Sequence, residues 1–169
     1  NLPAPGNTGH KGVSLGDVDN DGGKELAFIA AGGSVNVWKW NNSGENWNSL
    51  SANLPASSTY QATFLYDMNS DGFCDLLLYG NTNMSVYAGN GGSNWTLAAN
   101  FTTPPNGSYI DLAVADADNN GYADICLLSN EGSGFNTRNQ IRFFKEASSA
   151  SILTISPYYP RGGERFKNG

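Results

Sequence analysis

Short runs of apolar residues alternate with polar turns along the whole chain, and no segment keeps a 3.6-residue period. The runs are rich in β-branched and aromatic residues, and turns such as Gly32-Gly33 and Asn90-Gly91-Gly92 separate them. This pattern predicts antiparallel strands and an all-β fold. The predicted strands are 13–15, 26–29, 35–40, 47–50, 63–66, 76–79, 84–87, 95–97, 111–114, 125–128, 141–145 and 152–155.

The predicted strands fall into three groups of four, and an internal repeat marks the groups. Asp17, Asp67 and Asp116 open equivalent loops at spacings of 50 and 49 residues, and Trp47 and Trp95 keep nearly the same step. Four short strands per repeat of this length are typical of a propeller blade. The sequence therefore predicts a β-propeller segment of three four-stranded blades. The predicted repeats are roughly 4–54, 55–103 and 104–156.

The loop between the first and second strand of each repeat carries the chain's most informative motif. Positions 1, 3, 5 and 9 of the loop carry carboxylate or amide oxygens, and position 6 is Gly. A tight turn that gathers such hard oxygen ligands is typical of a Ca²⁺ site. The predicted side-chain ligands are Asp17, Asp19, Asp21 and Glu25; Asp67, Asn69, Asp71 and Asp75; and Asp116, Asp118, Asn120 and Asp124. The backbone carbonyl at position 7 completes each of the three sites, from Gly23, Phe73 and Tyr122.

An EF-hand loop opens in the same way but needs a Glu at position 12 and a helix on each side. Position 12 is occupied by Phe28, Leu78 and Leu127, and the flanking segments have the pattern of strands. The loops are therefore not EF-hands. Asp, Asn and Gly also cluster in ordinary solvated turns, but three copies at one period favour metal sites.

The net charge of −6 is explained by the same loops. They hold ten of the fifteen acidic residues, and the remaining nine basic and five acidic residues balance at +4. Three bound Ca²⁺ ions bring the total to about zero. The acidity therefore belongs to the predicted metal sites, and no basic patch supports a nucleic-acid partner.

Gly16 and the loop that begins at Asp17, followed by an acidic residue and an apolar strand, resemble the FG-GAP or VCBS repeat. This repeat is the calcium-binding blade of integrin α-subunit propellers and of many secreted microbial proteins. The resemblance covers roughly residues 1–156 and implies an extracellular or cell-surface, calcium-stabilised propeller. Because Asn69 and Asn120 replace Asp, the second and third sites are expected to bind calcium more weakly than the first.

Three blades are too few to close a propeller ring. We therefore expect further blades, from the same parent chain or from another subunit, as partners. Residues 157–169 resemble a linker or the opening of a secreted immunoglobulin-like module. No apolar stretch is long enough to cross a membrane.

Evidence for catalysis is weak in the sequence. The single histidine, His10, has no recurring Ser or Cys partner, and Asp111 and Glu131 have no evident relationship to each other. Trp40 is the best candidate for an exposed aromatic that stacks on a sugar ring, although aromatics in phase with the repeat more often belong to the core. A non-enzymatic module is therefore favoured.

Two further features bear on a secreted location. Five Asn-X-Ser/Thr sequences are candidate glycosylation sites, at Asn41, Asn83, Asn94, Asn100 and Asn106. Cys74 and Cys126 are the only cysteines, and they fit either a disulfide between repeats or two free thiols.

Three functions remain open at this point. The favoured one is an extracellular, calcium-stabilised module for adhesion, for carbohydrate or protein binding, or for surface assembly. The second is a fragment of a secreted carbohydrate-active enzyme, such as a polysaccharide lyase, whose catalytic residues lie in other blades. The third is a subunit that forms filaments, because an open sheet edge offers unpaired backbone groups.

Overall fold

A computed structural model of the chain describes residues 1–6, 12–80, 83–102, 108–131, 138–146 and 155–158. These residues form twelve β-strands. They are β1 (Val13–Gly16), β2 (Glu25–Ile29), β3 (Val35–Asn41), β4 (Asn46–Ser49), β5 (Tyr60–Tyr66), β6 (Asp75–Gly80), β7 (Asn83–Ala88), β8 (Thr96–Thr102), β9 (Ser108–Ala115), β10 (Asp124–Glu131), β11 (Arg138–Glu146) and β12 (Ile155–Tyr158).

The strands form three separate four-stranded sheets, and in each sheet every strand pairs with its neighbour along the chain. All pairings within the sheets are antiparallel. Each sheet is thus an up-and-down meander, which confirms the prediction of an all-β fold with propeller-type blades. The sheets do not close into a ring. In the part of the chain described, no helix is long and apolar enough to cross a bilayer.

Most predicted strands are present, with longer ends. The strand β5 begins at Tyr60, three residues before the predicted start, because its Ser- and Thr-flanked beginning lacked an apolar signal. The last strand, β12, is described at Ile155–Tyr158, so it continues three residues past the predicted strand at 152–155, of which residues 152–154 lie outside the described residues. Since β12 pairs with β11, the third blade reaches past the predicted boundary at residue 156.

The strand β6 shows why an uninterrupted apolar run is needed in a central blade. All six of its residues are buried. Successive strand side chains point to opposite faces of the sheet, and here Leu76 and Leu78 pack with the first blade while Leu77 and Tyr79 pack with the third. The apolar run of a strand covered on both faces therefore has no position for a polar side chain, and the one buried acid of β6, Asp75 at its start, accepts two backbone N–H groups.

Two hydrophobic clusters fill the spaces between blades. The cluster between the first and second blades contains Val18, Ala27, Ile29, Val35, Val37, Tyr60, Leu65, Leu76, Leu78 and Trp95. The cluster between the second and third blades contains Ala62, Met68, Leu77, Tyr79, Met84, Val86, Leu112, Ala123, Ile125, Leu127 and Phe144. Each blade is therefore held mainly by its neighbours.

Close backbone approach between blades explains the Gly that precedes the first loop. A Cβ atom added at Gly16 would lie 2.5 Å from the Cβ of Leu65 and 3.0 Å from the Cys74 sulfur. Any larger residue would push the first two blades apart at the end that carries the loops.

The outer face of the first blade has no neighbour in the described chain. Val13 and Leu15 are 58% and 65% exposed on this face. Their counterparts one repeat later, Thr63 and Leu65, are 1% and 8% exposed because they pack on the first blade. We call the surface formed by Val13 and Leu15 the free face of the first blade.

Packing between blades is expected to dominate stability. Replacement of the fully buried Leu78 by Ala should lower the free energy of unfolding by about 2–5 kcal/mol, because it leaves a cavity between the first two blades. The Leu97→Ala variant is the control: Leu97 is 52% exposed, and the change should stay within about 0.5 kcal/mol. Urea unfolding of both variants measures this, and equal effects would contradict the packing described.

Candidate metal centres

The three acidic loops occupy equivalent places in the three blades. Each loop joins the first strand of its blade to the second, and the residue at position 9 begins or directly precedes the second strand's apolar run. The positions of the predicted ligands are therefore determined by the sheets that the loops connect.

The first residue of each loop organises the turn through backbone hydrogen bonds. In the first loop, Asp17 accepts hydrogen bonds from the backbone N–H of Asp21 at 3.2 Å and of Gly22 at 3.0 Å. Asp67 and Asp116 accept the same two bonds in their loops, at 2.8–3.1 Å. The position-5 side chain then accepts the N–H of position 7, at 2.8–2.9 Å in all three loops. The three loops thus share one backbone structure.

Two positions in each loop have positive φ angles, and this explains part of the motif. Position 6 has φ of 87°, 93° and 90° at Gly22, Gly72 and Gly121, in the region that favours Gly. Position 4 has φ of 57°, 58° and 59°. Asn occupies it in two loops, as expected for the left-handed region, and Ser70 occupies it in the second.

The position-9 carboxylate is the most buried acid of each loop. Glu25, Asp75 and Asp124 are all at most 2% exposed. One oxygen of each accepts the backbone N–H of position 2, at 2.7, 3.0 and 3.1 Å. This bond ties the start of the loop to its end, a role that the sequence motif did not reveal.

The structure brings carboxylates together in the first and third loops. Oxygen atoms of Asp17, Asp19 and Asp21 lie within 4.8 Å of one another, and those of Asp116, Asp118 and Asp124 do the same. The Oδ1 atom of Asp19 is buried without a hydrogen-bond partner. A set of hard oxygen donors with one buried oxygen unsatisfied fits a calcium ion.

In the first and third blades, a lysine from the third strand contacts the acidic loop of its own blade. The Lys39 ammonium lies 2.5 Å from Asp19 Oδ2, 2.5 Å from Asp21 Oδ2 and 3.9 Å from Glu25 Oε1. Lys145 lies 2.6 Å from Asp118 Oδ2. Hydrogen bonding to Lys39 lowers the pKa of Asp21, and hydrogen bonding to Lys145 lowers the pKa of Asp118. Asp19 and Asp21 in turn raise the pKa of Lys39. Sequence reasoning missed these contacts because Lys39 is 14 residues beyond the loop.

The second loop differs in charge and in burial. Asn69 stands at position 3, and its amide donates to Asp71 Oδ2 at 2.9 Å. Asp75 accepts backbone N–H groups from Met68 and, at 2.9 Å, from Gly89. Burial nevertheless raises the pKa of Asp75 to about 7. Burial also raises the pKa of Glu25 in the first loop.

Neighbouring loops contact each other across the blade boundaries. The backbone N–H of Cys74 donates to the carbonyl of Asp17 at 3.3 Å, and the N–H of Ala123 donates to the carbonyl of Met68 at 2.9 Å. The Ser70 hydroxyl also donates to the carbonyl of Gly121. The three loops therefore form one continuous row at one end of the blades.

Trp40 lies beside the first loop. It is 41% exposed and packs edge-on against Trp47, with ring centroids 5.3 Å apart. It also lines a cavity of about 370 Å³ together with Asp21, Glu25 and Lys39. Trp95, the other repeat-phased tryptophan, is buried, and its indole N–H donates to the carbonyl of Leu50 in the first blade at 2.7 Å.

The candidate glycosylation sites differ in their surroundings. Asn94 and Asn100 are exposed. The side-chain amide of Asn83 donates to the Tyr60 hydroxyl at 2.9 Å, and the Asn41 carbonyl oxygen accepts the N–H of Ser43 at 3.0 Å. Asn106 lies outside the described residues.

The cysteines, Asp111 and His10 were the other residues singled out from the sequence. Cys74 and Cys126 are free thiols, and burial raises the pKa of Cys74 to about 11. Asp111 uses its carboxylate to accept its neighbour's backbone N–H, at Leu112. His10 lies outside the described residues, as does most of the segment 157–169.

Comparison with known proteins agrees with this geometry. Residues 67–127 match the FG-GAP-like repeat family. The matched segment opens at the first ligand position of the second loop and includes the third loop complete. A structure of the Photorhabdus luminescens Tc holotoxin pore shares the fold, with a TM-score of 0.55 and 19% identity over 91% of this chain and 7% of that chain. No curated protein matches the chain.

The fold and the loops together define a segment of repeated β-propeller blades. More specifically, residues 67–127 match an FG-GAP-like repeat, which confirms the resemblance for the segment that holds the second and third loops. The chain spans less than a tenth of the toxin chain that it resembles.

The buried acids predict an unusual dependence of stability on pH in calcium-free buffer. A carboxyl whose pKa is raised in the folded state holds its proton there more tightly than in the unfolded chain. The free energy of unfolding should therefore fall as pH rises from about 4 to about 7, by roughly 2–4 kcal/mol, and level off above that.

Urea unfolding at pH 5 and pH 8 measures this dependence. The Asp75→Asn variant should lose much of the decrease, while the smaller contribution of Glu25 persists because its pKa is raised as well. A free energy of unfolding that is unchanged or higher at pH 8 would contradict the raised pKa of these buried acids.

Proposed function

We propose that the chain is a calcium-stabilised, non-enzymatic propeller module that acts outside the cytosol and presents a binding surface. The observation that carries this proposal is one oxygen-rich loop built three times with the same backbone hydrogen bonds. A catalytic site needs only one copy of its metal-binding loop, whereas a metal site that stabilises each blade is needed once in every blade.

The chain's own residues supply the ligands for the metal. The side chains at positions 1, 3, 5 and 9, with the position-7 carbonyl, would hold one ion in each loop. When bound, calcium neutralises carboxylates that otherwise repel each other. Because positions 1 and 9 are already held by backbone N–H groups, these ligands are largely in place before the metal arrives.

The expected energy suits a structural role. Extracellular modules of this ligand type have a Kd of about 10⁻⁴–10⁻³ M. At free calcium about tenfold above Kd, each site adds about 1.4 kcal/mol, so three sites add about 4 kcal/mol. This is a large part of the net stability of an ordinary domain. Such affinities require the millimolar calcium found outside the cytosol, and this supports an extracellular location.

Further blades are the proposed partners. The free face of the first blade exposes Val13 and Leu15 at the positions that, in the next repeat, pack on a neighbouring blade. The same kind of interface already exists between the first and second blades, so the partner that fits the free face is another blade of this type. The parent chain or a second subunit would supply that blade.

The ligand of the module is proposed as an extracellular carbohydrate or protein. Support comes from the cavity beside the first loop, where the half-exposed Trp40 adjoins acidic and basic side chains. An aromatic face beside hydrogen-bonding groups is suited to a sugar ring. No described group of residues resembles a catalytic constellation that favours an enzyme.

Calcium should raise the melting temperature. Thermal unfolding in millimolar calcium and in chelator should differ by about 10 °C, since three ions stabilise the folded state alone. The Asp19→Ala variant should lose about a third of this rise, because it removes one site. Glu45→Gln, an exposed acid outside the loops, should keep all of it. A melting temperature that is the same in calcium and chelator would contradict the proposal.

The free face should mediate association. In calcium, we expect wild-type protein to self-associate at high concentration, and Leu15→Asp to weaken the association at least about tenfold, because a charge replaces an apolar contact. Leu97→Asp, at an exposed leucine outside the free face, is the matched control. Sedimentation velocity measures both. Equal behaviour of the two variants would count against the free face as an interface.

A further inference from the structure

We propose that Lys39 and Lys145 are tethered cations that occupy the first and third loops and that calcium must displace, whereas the second loop has no such competitor among the described residues. This inference rests on the proposed calcium function. According to this inference, two lysines outside the loop motif control the affinity of the loops for the metal.

The position of the Lys39 ammonium is the first observation. It contacts Asp19 and Asp21 at 2.5 Å each and lies 3.9 Å from Glu25. These are the acids at positions 3, 5 and 9, three of the four predicted side-chain ligands. The ammonium therefore lies among the oxygens that would surround the metal. The other oxygen of Asp19 is the one buried without a partner.

Strand register shows that this arrangement belongs to the repeat. Trp38 pairs with Leu26 in the first blade, and Phe144 pairs with Ile125 at the equivalent place in the third. The next residue in each case is the lysine, Lys39 or Lys145. Tyr87 pairs with Leu76 in the second blade, and the next residue there is Ala88. Two blades thus place a lysine at the loop, and the middle blade places a methyl group.

The physical basis is that an ammonium and Ca²⁺ require the same oxygens. Two cations a few ångströms apart repel each other, so the ammonium has to leave as the metal enters. Lys39 can do so because its side chain is flexible and about a quarter exposed. When the metal is absent, the ammonium neutralises the acids instead. The first and third loops can therefore stay folded at low calcium, at the expense of affinity.

This competition changes the expected order of metal binding. Asp content alone places the first loop ahead of the second, because Asn69 replaces an acid there. The lysine lowers the affinity of the first loop for calcium, so the affinities of the two sites become more similar or change order.

The test compares lysine variants by their metal affinity. Lys39→Met removes the tethered cation, and Lys24→Met removes the same charge from the surface of the same loop, where its ammonium is 3.7 Å from Asp17 and 60% exposed. Terbium luminescence excited through Trp40, which lines the cavity with Asp21 and Glu25, reports binding in the first loop. Competition with calcium then yields its Kd.

We expect Lys39→Met to lower the Kd of the first loop at least about tenfold and Lys24→Met to change it less than about threefold. Lys39→Met should also lower the melting temperature in chelator, because three acids lose their counter-ion. Ala88→Lys, at a partly exposed position, is the reverse variant, and calorimetry should show weaker calcium binding in the second loop.

The outcomes separate this inference from the proposed function. If Lys39→Met and Lys24→Met have the same Kd and Ala88→Lys has no effect, calcium binding stands and the competition is wrong. If the wild type and all variants bind neither terbium nor calcium, both proposals are wrong. Should Lys39→Met fail to fold, Lys145→Met and Ala88→Lys decide the question in the other two loops.

Discussion

Repulsion among closely spaced carboxylates is the constraint on which this structure depends. Each turn between the first and second strand of a blade gathers four acidic or amide side chains, and oxygens of three carboxylates lie within 4.8 Å of one another in two of the loops. Such a turn is stable only if donors or cations compensate the charge. The fold supplies backbone N–H groups at positions 2, 5, 6 and 7, and lysines in two of the blades. Calcium is the proposed third source of compensation.

The groups that compensate the negative charge of the loops also connect the loops to the hydrophobic core. The position-9 acid is buried at the start of the second strand, next to residues such as Leu76 and Ile125 that pack between blades. Backbone hydrogen bonds then link each loop to the next, from Cys74 to Asp17 and from Ala123 to Met68. A change of charge in one loop therefore acts on the junction between two blades. The proposed binding of calcium would therefore stabilise the packing between blades as well as the loops.

Much of this architecture was predictable from local sequence. The three loops were recognisable because their oxygens, Gly and spacing recur, and the run from Leu76 to Tyr79 indicated a strand covered on both faces. The contact of Lys39 with the first loop was not predictable, because it depends on the register of β3 against β2. The continuation of β12 past Ile155 was missed for a similar reason: Ser156 and Pro157 carry little strand signal, and pairing with β11 defines the strand. Long-range pairing is what the local pattern does not contain.

The count of bound calcium ions per chain tests the central claim most directly. Native mass spectrometry of the protein in calcium, then in magnesium alone, should show up to three calcium ions bound and little magnesium, because all three loops offer the same set of oxygen positions to a large, hard cation. A mass that corresponds to the bare chain at millimolar calcium would contradict the account. The loops would then be compensated by hydrogen bonds and lysines alone.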